Sequence, residues 1–252
     1  MSLEERVKYA EMKTRHQKRL RPWYKKWWGA TILIILGLFL IFAVASGFYV
    51  FNKVQEIKDM QSTYNEEYQK VAYQKAILGT NPYYLGTNNP TITIVEFSDF
   101  ACPYCQKSAS EIKGIVSKYS NKVKLLYRDY PLHENSIDLA IAARCAGEQN
   151  KFWLMHDKLF ELQDELTETD DALKSKLHDL AQVLGLNTPN FDQCLSERRY
   201  IDLVRADYDD GNLLEIGGTP TWFVNNYRIT GHISADDFEN LVTGLLQQYG
   251  TN

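Results

Sequence analysis

Cys102 and Cys105, separated by Pro103-Tyr104, are the residues of this chain best suited to chemistry. Two thiols at this spacing either cycle between dithiol and disulfide or bind a metal. Their surroundings narrow the choice. Residues 91–97 (Thr-Ile-Thr-Ile-Val-Glu-Phe) read as a buried strand, and the residues from Pro103 through Ile112, Ile115, Val116 and Tyr119 read as a helix. Cys102 then falls at or near the helix N-cap, where unpaired backbone N–H groups and the helix dipole favour negative charge. A thiol so placed has a depressed pKa and populates its nucleophilic thiolate near neutral pH. Pro103 takes the first helical position, where its missing N–H costs nothing. Cys105 is three residues on, on the same face and within reach of a disulfide.

The chain around this pair has 252 residues, with 24% charged and 44% apolar, ordinary values for a globular protein. Its net charge of −4 hides an asymmetry. Residues 1–28 hold nine Lys/Arg against three acids, so the remainder is acidic, which argues against nucleic-acid binding. Residues 31–51 form an uncharged apolar run able to cross roughly 30 Å of hydrocarbon. Trp23, Trp27 and Trp28 before it and Tyr49 near its far end suit interfacial anchors. These features predict a cytoplasmic basic segment (1–28), a single-pass signal-anchor in the cell membrane (29–51) and an extracytoplasmic remainder. A signal peptide cleaved after Ala43-Val44-Ala45 is the competing reading, and the main domain is exported under either.

Beyond the anchor, Val50, Val54, Ile57, Tyr64, Tyr68, Val71 and Leu78 form a helical stripe that Gln61 and Lys75 interrupt. It reads as a coiled-coil stalk or as an amphipathic helix lying on the domain or the membrane. Residues 79–90 have turn and breaker composition and read as a linker, so 52–90 is expected to be stalk and linker and 91–252 the main domain. Within that domain the pattern predicts strand 91–98, helix 103–119 and strand 123–128. Helices 136–148, 152–162, 172–184 and 196–214 follow, then strands 221–224 and 227–230 about a turn at Asn225-Asn226, and helix 235–248. The order implies an α/β domain with a central mixed sheet covered by helices.

Phe97-Ser-Asp-Phe-Ala-Cys-Pro-Tyr-Cys105 after an apolar strand, with Gly217-Gly-Thr-Pro-Thr-Trp-Phe-Val-Asn-Asn226 much later, resembles the DsbA-like thiol-disulfide oxidoreductases of the thioredoxin superfamily. Tyr127-Arg-Asp-Tyr-Pro-Leu-His133, Ala142-Ala-Arg-Cys-Ala-Gly-Glu-Gln149 and Phe152-Trp-Leu-Met-His156 extend the resemblance, which covers about 85–249. It implies a thioredoxin fold with a helical insertion at about 132–214 and a cis peptide bond at Thr219–Pro220. It makes Cys102 the nucleophile and Cys105 the resolving cysteine. Pro220 would pack beside them, with Pro103, Tyr104 and Thr219 at the substrate-binding surface. Glu96 matches the buried carboxylate of the superfamily. Strand alternation leaves its facing open: buried, it would have a raised pKa and relay protons for Cys105; otherwise it is a solvated acid. The Pro-Tyr dipeptide departs from the Pro-His of strongly oxidising members, and threonine before the cis-proline also occurs in isomerases and reductases.

The activity implied is formation of disulfides in exported cysteine-containing proteins, with no bound cofactor or metal and recycling by a membrane quinone-linked thiol oxidase. A reductase or isomerase of the same fold is the alternative, and a tethered peptide-binding chaperone is the alternative of another class. Some members of the resembled family carry a second bridge in the insertion, which would join Cys145 to Cys194. Such a bond closes a loop of about 50 residues, worth about 3–4 kcal/mol in the chain-entropy model. Two buried free thiols and a zinc site are the other readings, and the four cysteines lack the two clusters of structural-zinc spacing. His133, His156, His178 and His232 read as structural or surface residues.

Overall fold

The structure is a computed structural model that describes residues 2–17, 23–80, 82–225 and 227–250. Lys18, Arg19 and Arg21 of the basic segment and Asn226 of the expected turn lie outside the described residues. The chain divides into two compact units, Met1–Tyr68 and Gln69–Asn252. The first holds helix α1 (Leu3–Gln17) and most of helix α2 (Trp27–Leu78), which is long and apolar enough to cross a membrane. The apolar run and the striped segment are thus one unbroken helix. α2 ends at Gly79, whose φ of +58° a side chain would resist.

The second unit is built on a five-stranded sheet in the order β1-β3-β2-β4-β5. Its strands are β1 (Tyr84–Gly86), β2 (Ile92–Ser98), β3 (Val123–Asp129), β4 (Thr221–Val224) and β5 (Tyr227–Thr230). β2 and β3 run parallel, joined through helix α3 (Pro103–Lys118), and the other pairings are antiparallel. A parallel pair needs such a crossover, and the helix it brings covers one face of the sheet. β1 corrects the reading of 79–90 as pure linker: Tyr84, Leu85 and Gly86 pair with Leu126, Leu125 and Lys124. Three residues are too few to show a period, and Gly86, at φ +93° against the Val123 carbonyl, reads as a breaker in sequence.

Alternation along β2 decides what lies beneath α3. Ile92 and Ile94 enter a core with Ile112, Ile115 and Val116 of α3 and with Phe238, Val242 and Leu245 of helix α9 (Ala235–Tyr249). Val95 and Phe97 point the other way, into a core with Ala76, Ile77, Leu214 and Ile216. Glu96 and Ser98 therefore share the α3 face with the isoleucines, and both are buried. Between β3 and β4 come helices α4 (Ser136–Gly147), α5 (Phe152–Glu161), α6 (Asp170–Val183), α7 (Thr188–Ser196) and α8 (Ile201–Leu213). They form the helical insertion of a thioredoxin fold.

The expected helix 196–214 is corrected to the shorter α8, and a helix not expected, α7, precedes it with a turn between them. Asn187 caps α7 by accepting from the Asn190 N–H, so Asn187-Thr-Pro189 starts a helix as well as ending a loop. The turn after α7 places Arg198 at φ +49°. Arg199 closes it, its N–H reaching the Cys194 carbonyl and its guanidinium both Glu148 oxygens at 2.9 Å. Helical spacing alone does not show that tertiary pull.

Candidate active site

The site forms where β2 hands over to α3. Asp99, buried after the last residue of the strand, turns the chain by accepting from the Ala101 N–H at 2.8 Å through Oδ1. Its other oxygen accepts from the N–H groups of Leu132 and His133 and lies 2.7 Å from His133 Nδ1. One carboxyl thus binds the loop before the cysteines to the loop after β3. Cys102 takes the N-cap position in an extended conformation, with Pro103 in the first turn, and its carbonyl accepts from the N–H groups of Cys105 and Gln106.

From the insertion, the Gln163 amide donates to the carbonyls of Phe100 at 2.7 Å and Cys102 at 3.1 Å. Gln106 reciprocates from α3 to the Phe160 carbonyl at 2.8 Å. The helical layer therefore grips the redox loop directly. On the other side, the peptide bond between Thr219 and Pro220 is cis, and the Cys102 thiol donates to the Thr219 carbonyl at 3.4 Å. The Pro220 carbonyl is held by the Gly231 N–H at 2.7 Å. Tyr104 stands out at 62% exposed beside the buried Cys102.

The two thiols sit in opposed electrostatic environments. Cys102 is lowered to about 5, chiefly by the hydrogen bond from the Cys105 thiol, then by the Thr219 side chain and the N–H groups of Cys105 and Tyr104, against burial, which raises it. Cys105 is pushed well up by burial, and the charges of Glu96 and Cys102 act in the same direction. Glu96, facing α3 with an unpartnered Oε1, is raised to about 8 by burial, with Ser98 pulling the other way. The solvated-acid reading of Glu96 is thereby excluded. In the floor of the site, Ser98 Oγ, Asp129 Oδ1, Trp153 Nε1, His156 Nε2 and Trp222 Nε1 are also buried without a closed hydrogen bond among the described residues. At the centre, His156 lies among Phe100, Tyr127, Phe152, Trp153 and Phe160.

Cys145 and Cys194 are joined in a disulfide, Cα atoms 5.9 Å apart, between α4 and α7. They are remote from the redox loop in role, since their bond ties two helices of the insertion. A second buried polar cluster lies behind β3. Arg128 donates to Asp207, Asp210 and the carbonyls of Ala76 and Ile77, while Arg144 donates to Asp129 and Asp207. Cys102, Cys105, Glu96, Thr219 and Pro220 meet at one place. Asp99, Gln163, Ser98 and His133 join them without having been singled out in the sequence. Only Asp99, two residues before the N–H it caps, left a local signal there.

The thioredoxin family model matches residues 79–243. Na(+)/H(+) antiporter NhaA 1 of Salinispora arenicola is 33% identical over 161 residues, 63% of this chain and 24% of the antiporter. This chain spans about a quarter of the length of such curated relatives. Among solved structures, BdbD from Bacillus subtilis in its oxidised form is 27% identical, over 65% of this chain and 92% of that one, with a TM-score of 0.59. A thioredoxin-like oxidoreductase from Silicibacter pomeroyi shares the fold at 24% identity and a TM-score of 0.58, over 69% of this chain and 97% of that one.

Proposed function

The chain belongs to the thioredoxin family, and on that premise we propose that it is a membrane-tethered thiol-disulfide oxidoreductase that forms disulfides in exported proteins. The observation that carries the reading is the polarised pair: Cys102 lowered to about 5 and Cys105 pushed up, one above the other at the start of α3. A thiolate held at low pKa is a good leaving group and stabilises the reduced protein, which favours oxidation of the substrate.

The reaction runs in two exchanges. A substrate thiolate attacks Cys102 Sγ of the Cys102–Cys105 disulfide, and the bonding electron pair leaves with Cys105. A second substrate thiolate then attacks the substrate sulfur of the mixed disulfide, and Cys102 departs as the thiolate. The substrate has lost two electrons and the pair has gained them. Pro220 and Thr219 offer backbone beside Cys102 for an extended substrate, with Pro103 and exposed Tyr104 on the rim. Glu96 moves the proton that Cys105 gains or loses. A quinone-linked thiol oxidase in the membrane restores the disulfide.

The same proposal sets the layout. Residues 1–28 lie in the cytoplasm, 29–51 span the bilayer, the rest of α2 is a stalk, and the thioredoxin domain faces outward. The apolar run, the aromatic residues flanking it and the nine basic residues before it support that arrangement. Equilibration of the full chain with glutathione buffers tests the direction. A reduction potential well above about −200 mV is expected, and one near the −270 mV of thioredoxin would give the reading to a reductase. Expressing Cys105→Ala should trap exported clients on Cys102, and trapping none would favour a chaperone.

A further inference from the structure

Helix α2 is unbroken from Trp27 to Leu78, and its two long faces have different fates. In its last turns Tyr73, Ala76 and Ile77 face the thioredoxin domain. Ala76 and Ile77 are buried in the core with Val95 and Phe97, and Tyr73 meets the Phe223 ring edge-on. At about 100° per residue these three lie opposite Val71 and Leu78, which stay exposed. The domain is therefore carried on one face of α2, and the apolar stripe runs along the other.

The stripe repeats strictly every seven residues. Val54, Gln61 and Tyr68 form one series, and Val50, Ile57, Tyr64 and Val71 the other. They are the a and d positions of a coiled coil, while Gln55, Glu56, Asp59, Ser62, Thr63 and Glu66 take the outward b, c and f positions. Tyr73, Ala76 and Ile77 continue those outward positions. A straight helix drifts by about 20° per heptad, so a strict repeat of seven keeps its seam only against a second helix that supercoils with it. Ile57, Tyr64, Tyr68 and Val71 are each at least 60% exposed, a longer apolar stripe than a monomer leaves in water. At roughly 150–250 Å2 per buried ring, Tyr64 and Tyr68 of two such helices bring roughly 400–600 Å2. The aliphatic residues carry the seam towards the roughly 1,200 Å2 of a specific interface.

We propose that this stripe pairs with the same stripe of a second copy, in parallel and in register, as a two-stranded coiled coil over residues 50–71. It rests on the membrane-tethered reading, under which both copies leave the bilayer in one direction and at one height. Gln61 selects the partner. Its amide both donates and accepts, so two copies satisfy each other, whereas an apolar residue opposite would leave a buried amide unpaired. The same register continues into the apolar run as Ala43 and Gly47, and a Cβ on Gly47 would meet nothing within 4 Å. Small residues at that spacing let two helices approach closely in lipid. Lys75, next in the a series, would face its own copy, so the seam ends at Val71. Lys53 and Lys58 flank the seam, and Glu56, 2.6 Å from Lys53, offsets their repulsion.

Single cysteines in the full chain, in membrane vesicles and on a Cys102→Ser/Cys105→Ser background, test the seam. After mild oxidation Ile57→Cys, Tyr64→Cys and Val71→Cys should each link two copies, since facing d positions of parallel strands come within disulfide range. Asp59→Cys and Glu66→Cys, on the outward face, should link about tenfold less. Linking at only one d position means antiparallel strands, and equal linking on both faces means random collision. Either result overturns the pairing, as does no linking at all. The otherwise unaltered chain in detergent should sediment with the mass of two copies, and Tyr64→Glu/Tyr68→Glu with the mass of one, its exchange with glutathione unchanged. A wild type with the mass of one copy, or a pair that survives both glutamates, overturns the proposal. Alkaline carbonate extraction separates this outcome from the fate of the tether. A chain released from the vesicles loses the membrane-tethered reading, whereas a retained chain that neither links nor pairs loses the coiled coil alone.

Discussion

The two cysteine pairs are made of the same residue type and are buried alike, yet they occupy opposite kinds of surroundings. Cys145 and Cys194, 49 residues apart, join α4 to α7 among Ala142, Ala143, Ala146, Phe191 and Leu195, with the Arg199–Glu148 ion pair closing the turn nearby. Bonded to each other, neither sulfur titrates. Cys102 and Cys105 lie a helical turn apart, above a floor of unpartnered polar atoms, and one thiol is lowered while the other is raised. What makes a cysteine pair reactive here is asymmetry, supplied by the start of a helix on one side and a buried acid on the other. What makes a pair structural is the length of chain it closes.

Breaking the first pair should therefore abolish chemistry, and breaking the second should loosen the fold. The largest expected effect is that of Cys102→Ser. Exchange with glutathione, followed by mass spectrometry, should fall by three orders of magnitude or more, with urea unfolding little changed, since thiolate attack at this sulfur is the reaction itself. If activity survived, the two pairs would have exchanged roles. The double substitution Cys145→Ala/Cys194→Ala should instead lower stability by about 3–4 kcal/mol in urea melts and leave the exchange rate within about twofold. A large loss of exchange in that variant would join the two regions functionally.

A smaller effect sharpens the contrast through pH. Unfolded, the Glu96 carboxyl titrates near 4.5; folded, near 8. Between those values the folded chain holds a proton that the unfolded chain has lost, so stability falls as pH rises from about 4.5 to about 8 and this contribution is flat outside the window. At roughly 1.4 kcal/mol per pH unit, the carboxyl costs about 3 kcal/mol at pH 7 with the pair as dithiol, the state in which the Cys102 charge adds to burial in raising it. Glu96→Gln should recover much of it and flatten the slope in urea melts at pH 5 and 8. A slope unchanged by that substitution would mean the floor of the redox site is no costlier than that of the structural disulfide.

Much of this arrangement was legible in the residues. The strand-to-helix handover at Cys102, the proline of its first turn and the alternation of β2 are local patterns, and the sheet and α3 follow them closely. Glu96 was ambiguous because a strand buried on both faces has no polar side to betray its phase; α3 and α9 on one side and Ala76, Ile77 and Ile216 on the other decide it. β1 is hidden in the sequence because it is three residues long, and the turn before α8 because Glu148, which holds Arg199, lies far from it in the chain. The role of Gln163 and the tie of His133 to Asp99 are hidden for a related reason. Neither has a function until the insertion packs on the redox loop, and no spacing in the chain announces that contact.

Gln163 has one more implication. It holds the Phe100 and Cys102 carbonyls with an amide, a group that neither gains nor loses a proton across the range where cysteines and carboxyls do. The grip of the insertion on the loop is therefore the same in acid and in base. The site works like a balance whose beam is clamped by something indifferent to the load: when its rate changes with pH, that change reports the thiols and the buried acid.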